Sequence, residues 1–166
     1  MSSYHYGKQD VCRWVRENFP DSSTVLDVGA CDGNWRRLLP EYRAMDAVEV
    51  FGMNLPRLQG YRRVFHADIC DFRYEWYDLI IFGDIIEHLT VEQAQAVLAY
   101  AKPRCRDLII AVPFLYRQGA IYGNPWEVHK QDDLTPELFE ERYPGFAVLC
   151  DPGHDYRYYH KRRTDL

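Results

Sequence analysis

No two of the five cysteines stand close enough in sequence to form a C-x-x-C pair. Cys12, Cys31, Cys70, Cys105 and Cys150 are scattered singly, which excludes a zinc knuckle and a disulfide framework and points to a reducing compartment. No apolar run is long enough to span a bilayer, and the polar N-terminus has no apolar signal core. The chain therefore reads as soluble and cytoplasmic, with no membrane partner. Positive charge is not in excess either. Lys and Arg number 20 against 25 Asp and Glu, and the formal charge of −5 argues against a broad nucleic-acid-binding face. Basic residues cluster only at Arg36-Arg37, Arg62-Arg63 and Lys161-Arg162-Arg163. Short clusters of this kind are usually solvated faces or tails. Repeats, low-complexity tracts and linkers are missing, so residues 1–166 read as one domain.

Two phosphate-binding signatures fail as well. Cys31 stands where the second glycine of G-x-G-x-x-G would be, and no Gly-Lys-Ser/Thr follows the loop. What is there is the segment from Thr24 to Asn34, Thr-Val-Leu-Asp-Val-Gly-Ala-Cys-Asp-Gly-Asn. It reads as a buried strand, a tight loop fixed by Gly29 and Gly33, and a helix start. Glycine permits the sharp turn and lets a ligand lie against the backbone. The free N–H groups of the helix start face the loop. Asp27 adds a carboxylate suited to a nucleotide-like ligand that also carries an amino group. An ordinary strand–turn–helix corner has the same local signature.

The apolar fraction of 47% and the aromatic fraction of 15% call for a packed globule rather than a disordered chain. Val11, Trp14, Val15 and Phe19 mark a first helix over 8–19 that Pro20 ends. Strands are expected at 24–28, 47–50, 63–66, 78–82 and 108–112, with helices near 35–39, over 91–101 and over 136–142. Thr135 and Pro136 are a cap and first-turn pair for the last helix. Two closing strands, 146–150 and 156–160, flank the turn Asp151-Pro152-Gly153-His154. Alternation of this kind gives an α/β fold: a doubly wound, mostly parallel seven-strand sheet with a C-terminal antiparallel hairpin and helices on both faces. Ligands of such sheets lie at the carboxyl ends of the strands.

Glu49 closes the second strand 22 residues after Asp27, where an acidic side chain can accept both hydroxyls of a ribose. Asp68 follows the third strand. After the fourth, Asp84, Glu87 and His88 are spaced i, i+3 and i+4, so they share one side if a helix has begun by Asp84. The stretch from Phe114 to His129 is long, aromatic and without a periodic pattern. It reads as an active-site wall whose Glu127 and His129 can face His88.

The spacing Asp27-x-Gly29-x-x-x-Gly33, with Glu49 and Asp68 following in order, resembles the class I S-adenosylmethionine (SAM)-dependent methyltransferases over nearly the whole chain. The resemblance implies SAM as cofactor, held by Asp27, Gly29, Ala30, Gly33, Glu49, Val50, Asp68, Ile69 and Asp84. Asp68 would accept the adenine amino group and Ile69 would pack on the adenine face. Glu87, His88, Glu127 and His129 are the catalytic candidates. Asp84-x-x-Glu87-His88 resembles the acidic-x-x-Glu-His set of metal-assisted O-methyltransferases that act on quinone precursors and on the terminal ribose of small RNAs. Those families carry Glu where this chain has Asp84. Three roles stay open for the set. A histidine acts as general base on an acceptor hydroxyl; or Asp84, Glu87, His88 and His129 hold a divalent ion; or the residues only brace the loop. The chain departs from the family at Cys31, where glycine is usual, which matters if the backbone there is left-handed. No cap domain is evident, leaving a pocket that is open or completed by a homodimer partner. The implied activity is methyl transfer to a small molecule, at oxygen. The rival readings are a non-catalytic SAM-binding subunit that activates a partner and, disfavoured by its failed loop, a nicotinamide-dependent oxidoreductase.

Overall fold

The computed structural model describes residues 5–162. Arg163 of the last basic cluster and the first four residues of the polar N-terminus lie outside them. Helix α1 (Lys8–Asn18) buries Val11, Cys12 and Val15 on one stripe, and Lys8 lies on the same stripe. Strand β1 (Val25–Val28) runs into the glycine loop and helix α2 (Asn34–Leu38). Strands β2 (Met45–Glu49), β3 (Arg63–His66), β4 (Tyr77–Gly83) and β5 (Cys105–Pro113) follow. Helix α3 (Val91–Ala101) lies between β4 and β5, and helix α4 (Pro136–Arg142) precedes the hairpin β6 (Ala147–Cys150) and β7 (Tyr156–Arg162).

The seven strands form one sheet in the order β3-β2-β1-β4-β5-β7-β6. The first five are mutually parallel, and β7 enters antiparallel between β5 and β6. β4 and β5 are almost wholly apolar because helices cover both faces of the sheet there. On one face Ala94, Val97 and Leu98 of α3 and Phe139 of α4 pack on Leu26, Val28, Ile80 and Phe82. On the other, Val11, Cys12 and Val15 of α1 pack on Val25, Leu79 and Ile81. A capping box between Thr90 and Gln93 fixes where α3 starts. Between β2 and β3 the connection is a 3₁₀ segment, Gly52–Arg57, in place of an α-helix. Among the described residues no helix is long and apolar enough to cross a membrane.

Arg62, Arg63 and Arg162 of the basic clusters are partly exposed and pair with buried carboxylates. Arg62 and Arg63 converge on the buried Asp46 at 2.7 and 2.6 Å. With the Tyr77 hydroxyl they outweigh burial and hold its carboxyl down at about 2. Arg106, His160 and Arg162 converge in the same way on Asp107.

Candidate functional site

The carboxyl ends of β1, β2, β3, β4 and β5 open on one pocket. Gly29, Ala30, Glu49, Val50, Asp68, Ile69, Asp84, Glu87, His88, Glu127 and His129 all line it. The glycine loop forms its floor. Gly29 has φ +71, and a Cβ there would sit 1.9 Å from the Ile85 side chain, so backbone and neighbour both require its absence. Cys31 is left-handed at φ 50, a conformation that costs a non-glycine residue on the order of 1–2 kcal/mol. Its N–H donates to the Glu49 carboxylate at 2.7 Å, which anchors the loop in that shape. The other Glu49 oxygen accepts from the Phe51 N–H at 2.8 Å. Glu49 is 4% exposed and its carboxylate stands fixed at the pocket wall. Asp68 accepts from the Cys70 N–H at 2.9 Å, an Asx turn that sets the loop after β3. Helix α2 has only five residues, so what the loop offers a ligand is individual N–H groups rather than a long helix dipole.

Two expected cofactor residues stand outside that lining. Gly33 caps α2 from behind the loop. Asp27 shares the α1 face of the sheet with Val25, because side chains two apart on a strand point the same way. There it is buried, Tyr61 donates its hydroxyl to one carboxylate oxygen, and the other has no hydrogen-bond partner. Burial pushes its carboxyl up to about 7. A carboxyl raised this far from 3.8 favours the fold fully at low pH and loses that contribution as pH rises through about 7. We expect Asp27→Asn to flatten that part of the stability curve. Melting temperatures of both proteins between pH 4 and pH 8 check it; parallel curves would show that Asp27 does not titrate in this range.

Sequence spacing missed Lys8, which is 2% exposed. Its Nζ lies 5.2 Å from the Trp35 ring centroid, and its charge acts on Asp84, Asp27 and Asp32. Burial lowers its pKa against the pull of those carboxylates. The signal was a lysine on the apolar stripe of α1, a position the periodicity assigns to core. Trp35 closes over β4, and a Cβ on Gly83 would stand 2.5 Å from its Nε1, so glycine is required for that approach.

The condition that would place Asp84, Glu87 and His88 on one side, a helix begun by Asp84, is not met. Asp84 sits at φ 56 and accepts from the Tyr156 hydroxyl at 2.6 Å, and a 3₁₀ turn, Ile86–His88, starts two residues later. Asp84 is accordingly not in the group that converges. That group is Glu87, His88 and His129, whose ligand atoms all lie within 4.8 Å of one another. The two imidazoles meet edge to face with centroids 4.6 Å apart. His88 Nδ1 lies 3.3 Å from the Val128 carbonyl and His129 Nδ1 lies 2.6 Å from the Tyr116 carbonyl. A carbonyl only accepts, so each Nδ1 carries the proton and each Nε2 keeps its lone pair. Burial, with His129 beside it, pushes His88 down to about 4, and burial also lowers His129. Glu87 is 1% exposed, and among the described residues neither carboxylate oxygen has a hydrogen-bond partner, while His88 Nε2 lies 4.0 Å away. Burial and the nearby Asp84 raise its pKa well above the usual carboxylate range.

Glu127 lines the pocket outside this trio, held by Gln118 at 3.2 Å and Asn124 at 3.5 Å. The segment 114–129 is more ordered than its composition implies. A bridge between Ile121 and Asn124 closes a tight turn, and Pro125–Glu127 form a 3₁₀ turn. Tyr116, Gln118, Asn124 and Trp126 from this segment join the lining.

No protein-family model matches the sequence, and no curated protein matches it. Solved structures do match its shape. A SAM-dependent methyltransferase from Clostridium acetobutylicum superposes with a TM-score of 0.71 at 12% identity, over 96% of this chain and 91% of that one. CalS10, an amino pentose methyltransferase from Micromonospora echinaspora, gives 0.70 at 14% identity, over 98% and 93%. The methyltransferase domain of bacterial CtHen1 gives 0.66 at 21% identity, over 94% and 98%. The chain has the class I, Rossmann-like methyltransferase fold. At these identities the likeness speaks for the fold, and the chemistry is argued from the site.

Proposed function

We propose that the protein binds SAM in this pocket and transfers its methyl group to a hydroxyl of a small-molecule acceptor. The observation that carries the reading is the meeting of Glu87, His88 and His129 on the wall that also holds Glu49 and Asp68. Glu49, fixed by two backbone N–H groups, would accept the ribose hydroxyls. Asp68 and Ile69 would face the adenine. Asp84, braced by Tyr156, would take the methionine ammonium, with Lys8 behind it balancing the local negative charge. The acceptor oxygen attacks the methyl carbon as the carbon–sulfur bond breaks, and the sulfide leaves. The sulfonium is already activated, so the protein chiefly aligns the acceptor and removes its proton.

A histidine at about 4 is a weak base at neutral pH, and His88 Nε2 stands 4.0 Å from the buried Glu87 carboxylate, which accepts no hydrogen bond among the described residues. Two imidazole lone pairs and one carboxylate are a fitting set for a divalent cation. Bound there, such an ion would lower the pKa of the acceptor hydroxyl. Glu87, His88 and His129 would hold it, and Asp84 would not.

S-adenosylhomocysteine should raise the melting temperature and NAD should not. Tight NAD binding with none for S-adenosylhomocysteine would overturn the reading. Glu49→Ala should weaken S-adenosylhomocysteine by about 1–3 kcal/mol, the scale for hydrogen bonds to a charged group. Calorimetry showing unchanged affinity would reduce Glu49 to a loop brace. If the trio can be replaced without loss of methyl transfer in a complex with another protein, the chain is a SAM-binding subunit instead.

A further inference from the structure

Gln131 is 3% exposed and lies two residues beyond His129. Its side-chain nitrogen donates to the Ile86 carbonyl at 2.8 Å and the Leu89 carbonyl at 3.0 Å. Those two carbonyls bracket the turn that carries Glu87 and His88. Its side-chain oxygen accepts from the Tyr143 hydroxyl at 2.8 Å and from Arg142 at 3.2 Å. Both donors and both acceptor positions of the amide are therefore used. The backbone adds to the same join. The N–H groups of Lys130 and Gln131 donate to the Glu87 carbonyl at 2.8 and 3.2 Å.

We propose that Gln131 is the positioning residue that sets His129 against His88 and Glu87. The proposal rests on the reading of those three as the group that activates the acceptor. The turn hangs from the end of β4, and the strap bearing His129 belongs to the long excursion between β5 and α4. Besides the edge-to-face contact of the two imidazoles, the side-chain hydrogen bonds here are few: His88 Nδ1 to the Val128 carbonyl at 3.3 Å, and Lys130 to Gln93 of α3 at 3.3 Å near the surface. Gln131 joins them from beneath and is itself held by Arg142 at the end of α4 and by Tyr143 just beyond it. A primary amide is the side chain this place requires. Glu would lose the donors to Ile86 and Leu89, Lys or Arg would lose the acceptor, and Asn would fall short. Displacement of a reacting group by about 1 Å can cost roughly 100-fold in rate, so a residue that touches no ligand can still govern turnover.

The test compares Gln131→Met, which keeps length and removes all four side-chain bonds, with Tyr143→Phe, which removes one and leaves Arg142 in place. Both should lower the melting temperature. Only Gln131→Met should lower kcat, by roughly 10–100-fold, with S-adenosylhomocysteine affinity within about twofold of the parent. An activity-independent readout is the rate at which diethyl pyrocarbonate modifies His88 and His129, followed by mass spectrometry with the exposed His154 as internal standard. Both rates should rise several-fold in Gln131→Met and stay near the parent's in Tyr143→Phe. Unchanged rates in folded Gln131→Met would overturn the proposal. So would equal changes in the two variants, which would mean general loosening. If no acceptor is methylated by the parent protein, the functional reading fails while the modification rates still decide the role of Gln131. Should Gln131→Met not fold, Gln131→Glu, which retains the acceptor oxygen, is scored by the same rates.

Discussion

His129→Ala should cut turnover by roughly 10²–10⁴-fold, the range for loss of an acid–base group, and leave S-adenosylhomocysteine affinity intact. The ring is fixed by the Tyr116 carbonyl on Nδ1, which leaves Nε2 aimed for use towards His88 and Glu87. Whether that lone pair takes a proton from the acceptor or holds a cation, alanine removes it. The cofactor contacts proposed at Glu49 and Asp68 belong to β2 and the loop after β3, on the other side of β1 from β4 and β5, so affinity is a separate readout. Methyl transfer to a panel of hydroxylated acceptors, with calorimetry on the same preparations, makes the comparison. Turnover within threefold of the parent would remove His129 from the reaction.

The second large effect has two opposite signs. Glu87→Leu should abolish turnover and stabilise the ligand-free protein by about 1–3 kcal/mol, the usual cost of a buried polar group without a hydrogen bond. Both carboxylate oxygens of Glu87 are in that state. Magnesium, manganese or zinc should raise the melting temperature of the parent and not of Glu87→Leu, by mass action on the folded state. A chelator should silence the parent enzyme, and added ion should restore it. Full activity in the chelator, with no thermal response to any ion, would leave proton transfer as the role of the trio. A destabilised Glu87→Leu would show that the carboxylate is satisfied in a way the geometry does not reveal.

Much of the pocket wall was legible because strand ends announce themselves. The apolar runs of β1 and β4 stop at residues that cannot continue them, and Glu49 and Asp68 follow β2 and β3 at positions facing the loop. The motif says nothing about the face on which Asp27 sits, which is that of α1. Val28 packs on the opposite face, under α3. The spacing of Asp84, Glu87 and His88 would put them on one side only of a helix, and the chain takes a left-handed step at Asp84 instead, which Asp tolerates better than most residues. Gln131 was not legible, because its burial depends on partners far along the chain, and for Lys8 the periodicity marks burial but not the carboxylates it serves. Lys8 acts on Asp84, and Gln131 depends on Arg142 and Tyr143 after α4.

The insertion of β7 between β5 and β6 governs the order in which a growing chain can finish the fold. When β6 leaves the ribosome, the edge of β5 is still bare, because β6 pairs with β7 and not with β5. Tyr156 at the start of β7 also supplies the hydroxyl that braces Asp84, more than seventy residues back. The pocket therefore lacks part of its support until β7 has been made. The open apolar edge of β5 must be protected until β7 arrives.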